Sequence, residues 1–358
     1  MVHQDIDRRQ GLTVSEVISQ LRLPLIVLVT YAHSYSEVEE GYHLLTSSWD
    51  TCQFLKLLVS QTLVKVVVPV FFIISGYFFF ANVKEWNARV YGRKMVRRMK
   101  TLLIPYLLWN LLMAVKLKSF SWDLFWVYSR KAGLQVDWLG CENWMTAPAN
   151  TPLWFLRDLM VITLLTPIIY IVIRRLGGYV MVLLTLIYLS GVGAFAVPGL
   201  SMYAVYFFCL GAFFGIRKKD FIEVMGHYEF QAYSVSLLLA CLMMMTYHTE
   251  IFSSLMLCFR IVGAVSFFCL TDRLLSCTSR RLPKVVADSS YFIYLAHYVF
   301  FLSFVDKGFF LLFGASAVSL SVHYLLSPLL KAALFIAVYA AIRRIGRFLG
   351  QTLPRARR

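Results

Sequence analysis

Residues 21–34 read LRLPLIVLVTYAHS, an apolar stretch with an arginine near one end and a histidine near the other. Arg22 and His33 are eleven positions apart, almost three turns of an α-helix, so both side chains would lie on one face. They would be about 16 Å apart along the helix axis, too far to touch. Ionisable groups in an apolar helix usually face the interior of a helix bundle. The segment therefore predicts a helix that carries a polar track.

The whole chain has the composition of a membrane protein. Hydrophobic residues make up 59% of its 358 residues and charged residues 15%, whereas soluble domains have roughly 45–50% apolar and about 25% charged residues. Mean hydropathy is +0.68. The net charge of +16 comes from short basic clusters between long apolar blocks. This pattern is typical of membrane topology and not of a nucleic-acid-binding domain.

We predict an all-α protein, a polytopic transmembrane helical bundle with ten spans, because a helix needs about 20 residues to cross the hydrocarbon layer. The ten predicted segments are residues 21–36, 60–82, 101–117, 152–173, 179–197, 200–216, 231–248, 251–271, 288–305 and 322–342. Twenty-four lysines and arginines fall on one side of this arrangement and five in the loops of the other side. Since basic residues favour the cytoplasm, both termini are predicted to be cytoplasmic.

The domain organisation follows from these segments. Residues 1–20 are predicted to be a cytoplasmic N-terminal segment without a cleavable signal peptide, 21–342 the transmembrane domain and 343–358 a basic cytoplasmic tail. Residues 119–150 are rich in tryptophan, which is typical of an interfacial segment. Residues 306–321 are predicted to lie on the surface or to re-enter the membrane. Whether the loop cysteines Cys52 and Cys141 pair is left open.

A second histidine lies in SYFIYLAH, residues 290–297. Ser290, Tyr294 and His297 are spaced i, i+4 and i+7 and share one helix face. His297 is about as deep in its span as His33, so the two histidines are predicted to line one cavity. Desolvation favours the neutral imidazole, which can take a proton from a hydroxyl as a general base. No nucleophile elbow of the GxSxG type occurs, so we expect direct transfer to a hydroxyl.

Other charged residues allow two interpretations each. In RVYGRKMVRRMK, residues 89–100, Arg93, Arg97 and Arg98 are either a topology signal or a phosphate site, since guanidinium groups bind phosphate in a bidentate way. Arg157 and Asp158 either cap the outer end of span four or belong to a site. Arg260 and Lys331 also lie within spans, and Lys331 is expected to snorkel or to form a structural ion pair.

Five elements, in order, resemble acyltransferase family 3. The first is Arg22, ten residues and His33, and the second is FFIISGY at 71–77, which includes Ser75. The others are the basic run that leads to the Ile-Pro-Tyr sequence at 104–106, PLWFLRDLMVITLLTP at 152–167 and SSYFIYLAH at 289–297.

The resemblance implies a ten-helix membrane enzyme of the bacterial cytoplasmic membrane, an O-acyltransferase that moves an acyl group, usually acetyl, from acyl-CoA to a hydroxyl of a saccharide or glycan precursor. His33 would be the catalytic base and Arg22 a site arginine near the donor. No metal is expected. The residues implied in donor binding are Arg93, Arg97, Arg98 and Ser75. Further candidate site residues are His297, Tyr294, Trp154, Arg157 and Asp158.

The chain departs from the family pattern in two places. Ser19 and Gln20 stand where an aspartate often precedes the arginine, which leaves Arg22 without an obvious partner. A soluble hydrolase-like domain is not expected after the spans.

Two other functions use the same features. A transporter or flippase of a lipid-linked saccharide would also need intramembrane charges, and a non-catalytic scaffold would leave the shared face of Arg22 and His33 unexplained. Consumption of acyl-CoA separates the enzyme from both.

Overall fold

The computed structural model describes residues 13–34, 37–120, 148–191, 199–278, 280–300 and 302–352. These residues form α-helices, with short π and 3-10 turns, and contain no β-strand, as the all-α prediction requires. Most of the tryptophan-rich segment predicted to be interfacial lies outside the described residues. Cys141 also lies outside them.

The helices are numbered here in chain order. They are α1 Val14–Ala32, α2 Thr51–Lys56, α3 Val67–Phe80, α4 Ala88–Arg98, α5 Ile104–Phe120, α6 Trp154–Leu164, α7 Thr166–Leu176, α8 Gly178–Leu189, α9 Met202–Arg217, α10 Phe221–Gly226, α11 Glu229–Met245, α12 Glu250–Thr278, α13 Lys284–Asp288, α14 Ser290–Ala296, α15 Ser303–Phe313 and α16 Ala317–Thr352.

Four stretches of helix in the described part are long and apolar enough to cross a membrane: Val14–Ala32, Thr51–Phe80, Glu250–Thr278 and Ala317–Gly346. The pair α6 and α7 makes a fifth if it counts as one bent span, and α8, α9 and α11 are shorter apolar helices. Large apolar side chains are exposed along α5 and α8, as expected for faces that meet lipid. The count of ten spans and the cytoplasmic placement of the termini remain predictions.

The first helix begins earlier than predicted. α1 starts at Val14, not at residue 21, because Thr13 and Glu16 form a capping box. The Thr13 side chain accepts from the Glu16 N–H at 3.3 Å, and Glu16 Oε2 accepts from the Thr13 N–H at 2.8 Å. Two otherwise unpaired backbone donors are thereby satisfied, and the helix extends by two turns.

Two predicted spans are not single straight helices. The segment 152–173 bends by 64° between α6 and α7, where Pro167 follows the break and cannot donate to a preceding carbonyl. The prediction of one helix over 288–305 is wrong. α14 ends at Ala296, and a separate helix, α15, begins at Ser303. The residues predicted to lie on the surface or re-enter are therefore partly α15.

The chain divides into two compact units. Unit 1 comprises residues 1–42, 48–64 and 273–358, and unit 2 comprises 43–47 and 65–272. In unit 1, the Tyr31 hydroxyl donates to the Leu325 carbonyl at 2.6 Å, and Ser60 Oγ is 2.6 Å from the Tyr324 hydroxyl. These bonds join α1, the π turn after α2, and α16.

A buried ionic cluster joins α15 to α16 in unit 1. Asp306 Oδ1 accepts from His323 Nε2 at 2.9 Å and from Ser327 Oγ at 2.6 Å, and Oδ2 accepts from Lys331 Nζ at 2.8 Å. All four side chains are buried. Lys331 thus forms the structural ion pair that was one of its two expected roles.

In unit 2, α3 and α9 pack against each other through glycines. A Cβ at Gly76 would collide with the Phe208 carbonyl, and a Cβ at Gly211 would collide with the Ile73 carbonyl. Small residues let two helix backbones approach this closely in membrane proteins. The close contact fixes the position of α3 and therefore the point at which the loop after it begins.

We expect Gly211→Ala to destabilise the protein by about 1–3 kcal/mol, because the added methyl must separate two packed backbones. Gly92→Ala on α4 is the matched control, since nothing lies within 4 Å of a Cβ there and helix propensity should improve stability by up to about 1 kcal/mol. Thermal unfolding in detergent measures both. Equal stability of the two variants would contradict the tight contact.

Candidate functional site

Two helices of unit 1 end at histidines. α1 ends at Ala32 and α14 at Ala296, so His33 and His297 are each the first residue beyond a helix. Their ring centroids lie 5.3 Å apart, with 45° between the ring planes. His297 is buried and His33 half-buried. The structure therefore brings together the two histidines that the sequence placed at similar depth.

The hydrogen bonds of His297 define its protonation pattern. Nδ1 lies 2.8 Å from the Tyr294 carbonyl oxygen and 3.1 Å from that of Ile293. Carbonyl oxygens only accept, so Nδ1 carries the proton and Nε2 the lone pair. Nε2 is buried and has no hydrogen-bond partner among the described residues. Leaving a buried acceptor unpaired costs about 1–3 kcal/mol, so this atom calls for an explanation.

The helix ends shape the electrostatics around both rings. The C-terminus of an α-helix carries a partial negative charge, which stabilises a cation placed there. α1 and α14 both direct this end towards a histidine. The helix ends therefore offset part of the desolvation cost of an imidazole that gains a proton at this position. The arrangement suits a group that accepts a proton during a reaction.

Aromatic side chains surround the pair. The Tyr298 ring stands edge-on to His33, with centroids 5.6 Å apart, and the Tyr294 ring centroid is 6.4 Å from that of His297. Tyr298 was missed at the sequence level, because a continuous helix would point it away from the face of His297. The helix instead ends at Ala296, and the chain turns Tyr298 towards His33.

Arg22 is exposed on α1 and has a carboxylate nearby. It interacts electrostatically with Asp288, the last residue of α13. Asp288 also accepts from Arg343 Nη1 at 3.1 Å. The negative charge that the sequence lacks directly before Arg22 is thus supplied by Asp288, from a distant part of the chain.

Unit 2 contains a basic cavity beside α4. Its volume is about 590 Å³, and its lining includes Arg93, Lys94 and Arg97. Arg98 is not part of the lining, and its guanidinium lies 5.6 Å from the centroid of the Phe79 ring. Ser75 is half-buried on α3, also away from this cavity. Of the four residues predicted to bind the donor, the structure gathers only Arg93 and Arg97.

Lys94 lines the same cavity, although it was not among the residues predicted to bind the donor. Burial lowers the pKa of Lys94 below its ordinary value, and the neighbouring positive charges of Arg98, Arg97 and Lys218 lower it further. Like charges held this close repel one another. An anion bound in the cavity would relieve that repulsion and raise the pKa of Lys94 again.

Arg157 and Asp158 form a pair within α6. Arg157 donates to Asp158 Oδ1 from Nε at 2.9 Å and from Nη2 at 2.8 Å. Ser201, the N-cap of α9, donates to Asp158 Oδ2 at 3.2 Å. The pair therefore ties α6 to the start of α9. Trp154 begins α6 and is half-buried.

Arg260 lies beside an aromatic ring, and no metal site is found among the described residues. The guanidinium of Arg260 lies 4.7 Å from the centroid of the Tyr203 ring, an arrangement that a cation–π interaction favours. In the part of the chain that the structure describes, no three His, Cys, Asp or Glu side chains are grouped so that they could hold a metal ion.

We expect Asp158→Asn to lower the free energy of unfolding by about 3–5 kcal/mol, because Arg157 would be left buried without its carboxylate. Thermal unfolding of the purified protein measures this loss. Glu223→Gln is the control, since Glu223 is an exposed carboxylate on α10 and its loss should leave stability unchanged. A stable Asp158→Asn protein would contradict the structural role of the pair.

Comparison with known proteins identifies the family. The model of acyltransferase family 3, described as an acyltransferase domain, matches residues 17–342. The succinoglycan biosynthesis protein ExoH of Rhizobium meliloti (strain 1021) is 25% identical over 174 residues, which are 45% of this chain and 44% of that protein. The match thus spans less than half the length of this curated relative. No solved structure matches. With its apolar helices, the chain is a multi-pass membrane protein, and it belongs to acyltransferase family 3.

Proposed function

We propose that this protein transfers an acyl group, acetyl in the simplest case, from acyl-CoA to a hydroxyl of a saccharide or glycan precursor in a bacterial cytoplasmic membrane. Family membership supports acyl transfer. The relative named for succinoglycan biosynthesis supports a glycan acceptor. The observation that carries the proposal is the contact between His33 and His297, where a buried imidazole nitrogen keeps its lone pair.

His33 is proposed as the general base. It is half-buried, so an acceptor can reach it more easily than it can reach His297. His33 takes the proton of the acceptor hydroxyl while the oxygen attacks the thioester carbonyl. Collapse of the tetrahedral intermediate forms the ester and breaks the carbon–sulfur bond, and the departing CoA thiolate takes up the proton. No covalent acyl-enzyme is required.

His297 is proposed to position His33. Its Nδ1 proton is held by two backbone carbonyls, so Nε2 can act only as an acceptor. We propose that Nε2, which has no partner in the described part of the chain, accepts an N–H of His33 when His33 gains its proton and so stabilises that charge. Tyr298 packs edge-on against the same ring and restricts its rotation. Arg22, with Asp288, is proposed to act near the donor.

The donor's phosphates are proposed to bind in the basic cavity of unit 2. Arg93, Lys94 and Arg97, together with Lys84, give this cavity four basic side chains against one carboxylate, that of Glu85. Guanidinium groups form strong charge-assisted hydrogen bonds to phosphate. Because Arg98 and Ser75 do not line this cavity, their predicted part in donor binding is left to experiment.

We expect His33→Ala to lower the rate of transfer by about 10²–10⁴-fold, the usual contribution of general base catalysis. The assay follows the release of free CoA thiol from acyl-CoA in the presence of a saccharide acceptor. A melting temperature equal to that of the native protein would show that the variant is folded.

The matched control for this variant is His227→Ala. His227 also follows a helix, α10, and its Nδ1 lies 2.8 Å from a backbone carbonyl four residues earlier, but it is exposed. We expect this variant to retain the native rate. Native activity in His33→Ala would exclude His33 as the base, and movement of a saccharide without thiol release would favour a transporter.

A further inference from the structure

Unit 2 contains a second cavity, next to the basic one. Its volume is about 310 Å³, and Val83 and Lys84 line both cavities. The short loop between α3 and α4 therefore separates two adjoining spaces. Ligand sites commonly measure about 300–1,000 Å³, so this cavity can hold one part of a larger ligand that also occupies its neighbour.

One wall of this cavity is an aromatic platform. The rings of Trp86 and Tyr170 lie nearly parallel, with centroids 5.3 Å apart and 25° between the planes. The Phe80 ring also stacks on Tyr170, with centroids 6.0 Å apart and 23° between the planes. Such flat surfaces are suited to stacking of a nucleobase, because every base has a π-face.

The same cavity carries positive charge. Lys84, Arg174 and Arg217 line it, and none of the three forms an ion pair with a carboxylate in the described part of the chain. Arg174 donates to the Tyr170 hydroxyl, which holds its guanidinium at the rim of the aromatic platform. An aromatic surface and unpaired cations thus lie together.

Lys218 holds the loop in place. Its ammonium group donates to the carbonyl oxygens of Phe80 at 3.1 Å and Ala81 at 2.7 Å, and also to that of Val83. These carbonyls belong to the end of α3 and the residues after it, where a cation is favoured. The loop that presents Lys84 and Trp86 is therefore built into the fold of unit 2.

We propose that this cavity binds the adenine ring and the ribose phosphate of CoA, while Arg93, Lys94 and Arg97 bind its diphosphate. The inference rests on the proposed function, since it assigns a place to the donor of that reaction. An anionic lipid headgroup shares the phosphate chemistry, but it would use only the cations. The stacked rings of Trp86 and Tyr170 favour the nucleotide.

The test compares donors with and without the nucleotide. Purified native protein, Trp86→Leu and Arg174→Gln are assayed with acyl-CoA and with acyl-pantetheine, which lacks the nucleotide. Binding of adenosine 3′,5′-bisphosphate is measured in parallel by calorimetry. Arg175→Gln is the matched control, because Arg175 is an exposed arginine beside Arg174 that does not line the cavity.

We expect each cavity variant to raise the KM for acyl-CoA about tenfold or more, and by a larger factor than the KM for acyl-pantetheine. Affinity for adenosine 3′,5′-bisphosphate should fall by a similar factor. Arg175→Gln should behave as the native protein does. A variant that merely unfolds would affect both donors equally, so the ratio of the two KM values distinguishes binding from stability.

Three results would overturn the proposal. If native protein uses acyl-CoA and the cavity variants do so with unchanged KM, the nucleotide binds elsewhere and the proposed function stands. Binding of phosphatidylglycerol is measured for the same proteins in nanodiscs. If the variants bind less of this lipid while their KM for acyl-CoA is unchanged, the cavity is a lipid site. If native protein neither binds CoA nor releases thiol from acyl-CoA, the proposed function fails and this inference fails with it.

Discussion

Polar groups inside an apolar protein must be paired, and this constraint organises the structure. Asp306 receives three donors from α16, and Asp158 receives Arg157 and Ser201. Breaking such a pair leaves a buried charge without its opposite charge, which is strongly destabilising. These clusters are accordingly structural links between helices. Nε2 of His297 is among the few buried polar atoms that have no hydrogen-bond partner in the described part of the chain, and its ring lies 5.3 Å from that of His33. Burial, the missing partner and the neighbouring imidazole together support the proposal that the two histidines are the reactive groups.

Backbone geometry decides which groups meet. α1 and α14 stop directly before His33 and His297, so both imidazoles lie at helix C-termini, where a positive charge is stabilised. In unit 2, the glycines between α3 and α9 bring two backbones together, and Lys218 then fixes the loop after α3. The loop carries Lys84 and Trp86 to the two cavities. Packing within unit 2 thus determines how the walls of the two cavities are formed.

Much of this arrangement could be predicted from the sequence. The depth of His297 in its predicted span predicts that it lines one cavity with His33, and the two rings lie 5.3 Å apart. The prediction that Arg22 and His33 share one helix face stays a prediction, since α1 ends before His33. Pro167 could have signalled the break between α6 and α7. The spacing of His323, Ser327 and Lys331, four residues apart each time, indicates one face of a helix, but its partner Asp306 lies on another helix. Long-range partners of this kind, such as Asp288 for Arg22, depend on tertiary packing and leave no local pattern. Arg98 shows the same limit, since only the fold turns it towards Phe79 and away from the basic cavity.

The most direct test of the account is to follow the acyl group itself. Purified protein would be incubated with acyl-CoA labelled in the acyl group and with a saccharide acceptor, and free thiol and label would be measured together. The account predicts one thiol released for each label that enters the saccharide in an alkali-labile ester, with no label retained on the protein. Absence of thiol release from the folded protein, or label held on a side chain as an intermediate, would contradict direct transfer at the histidine pair.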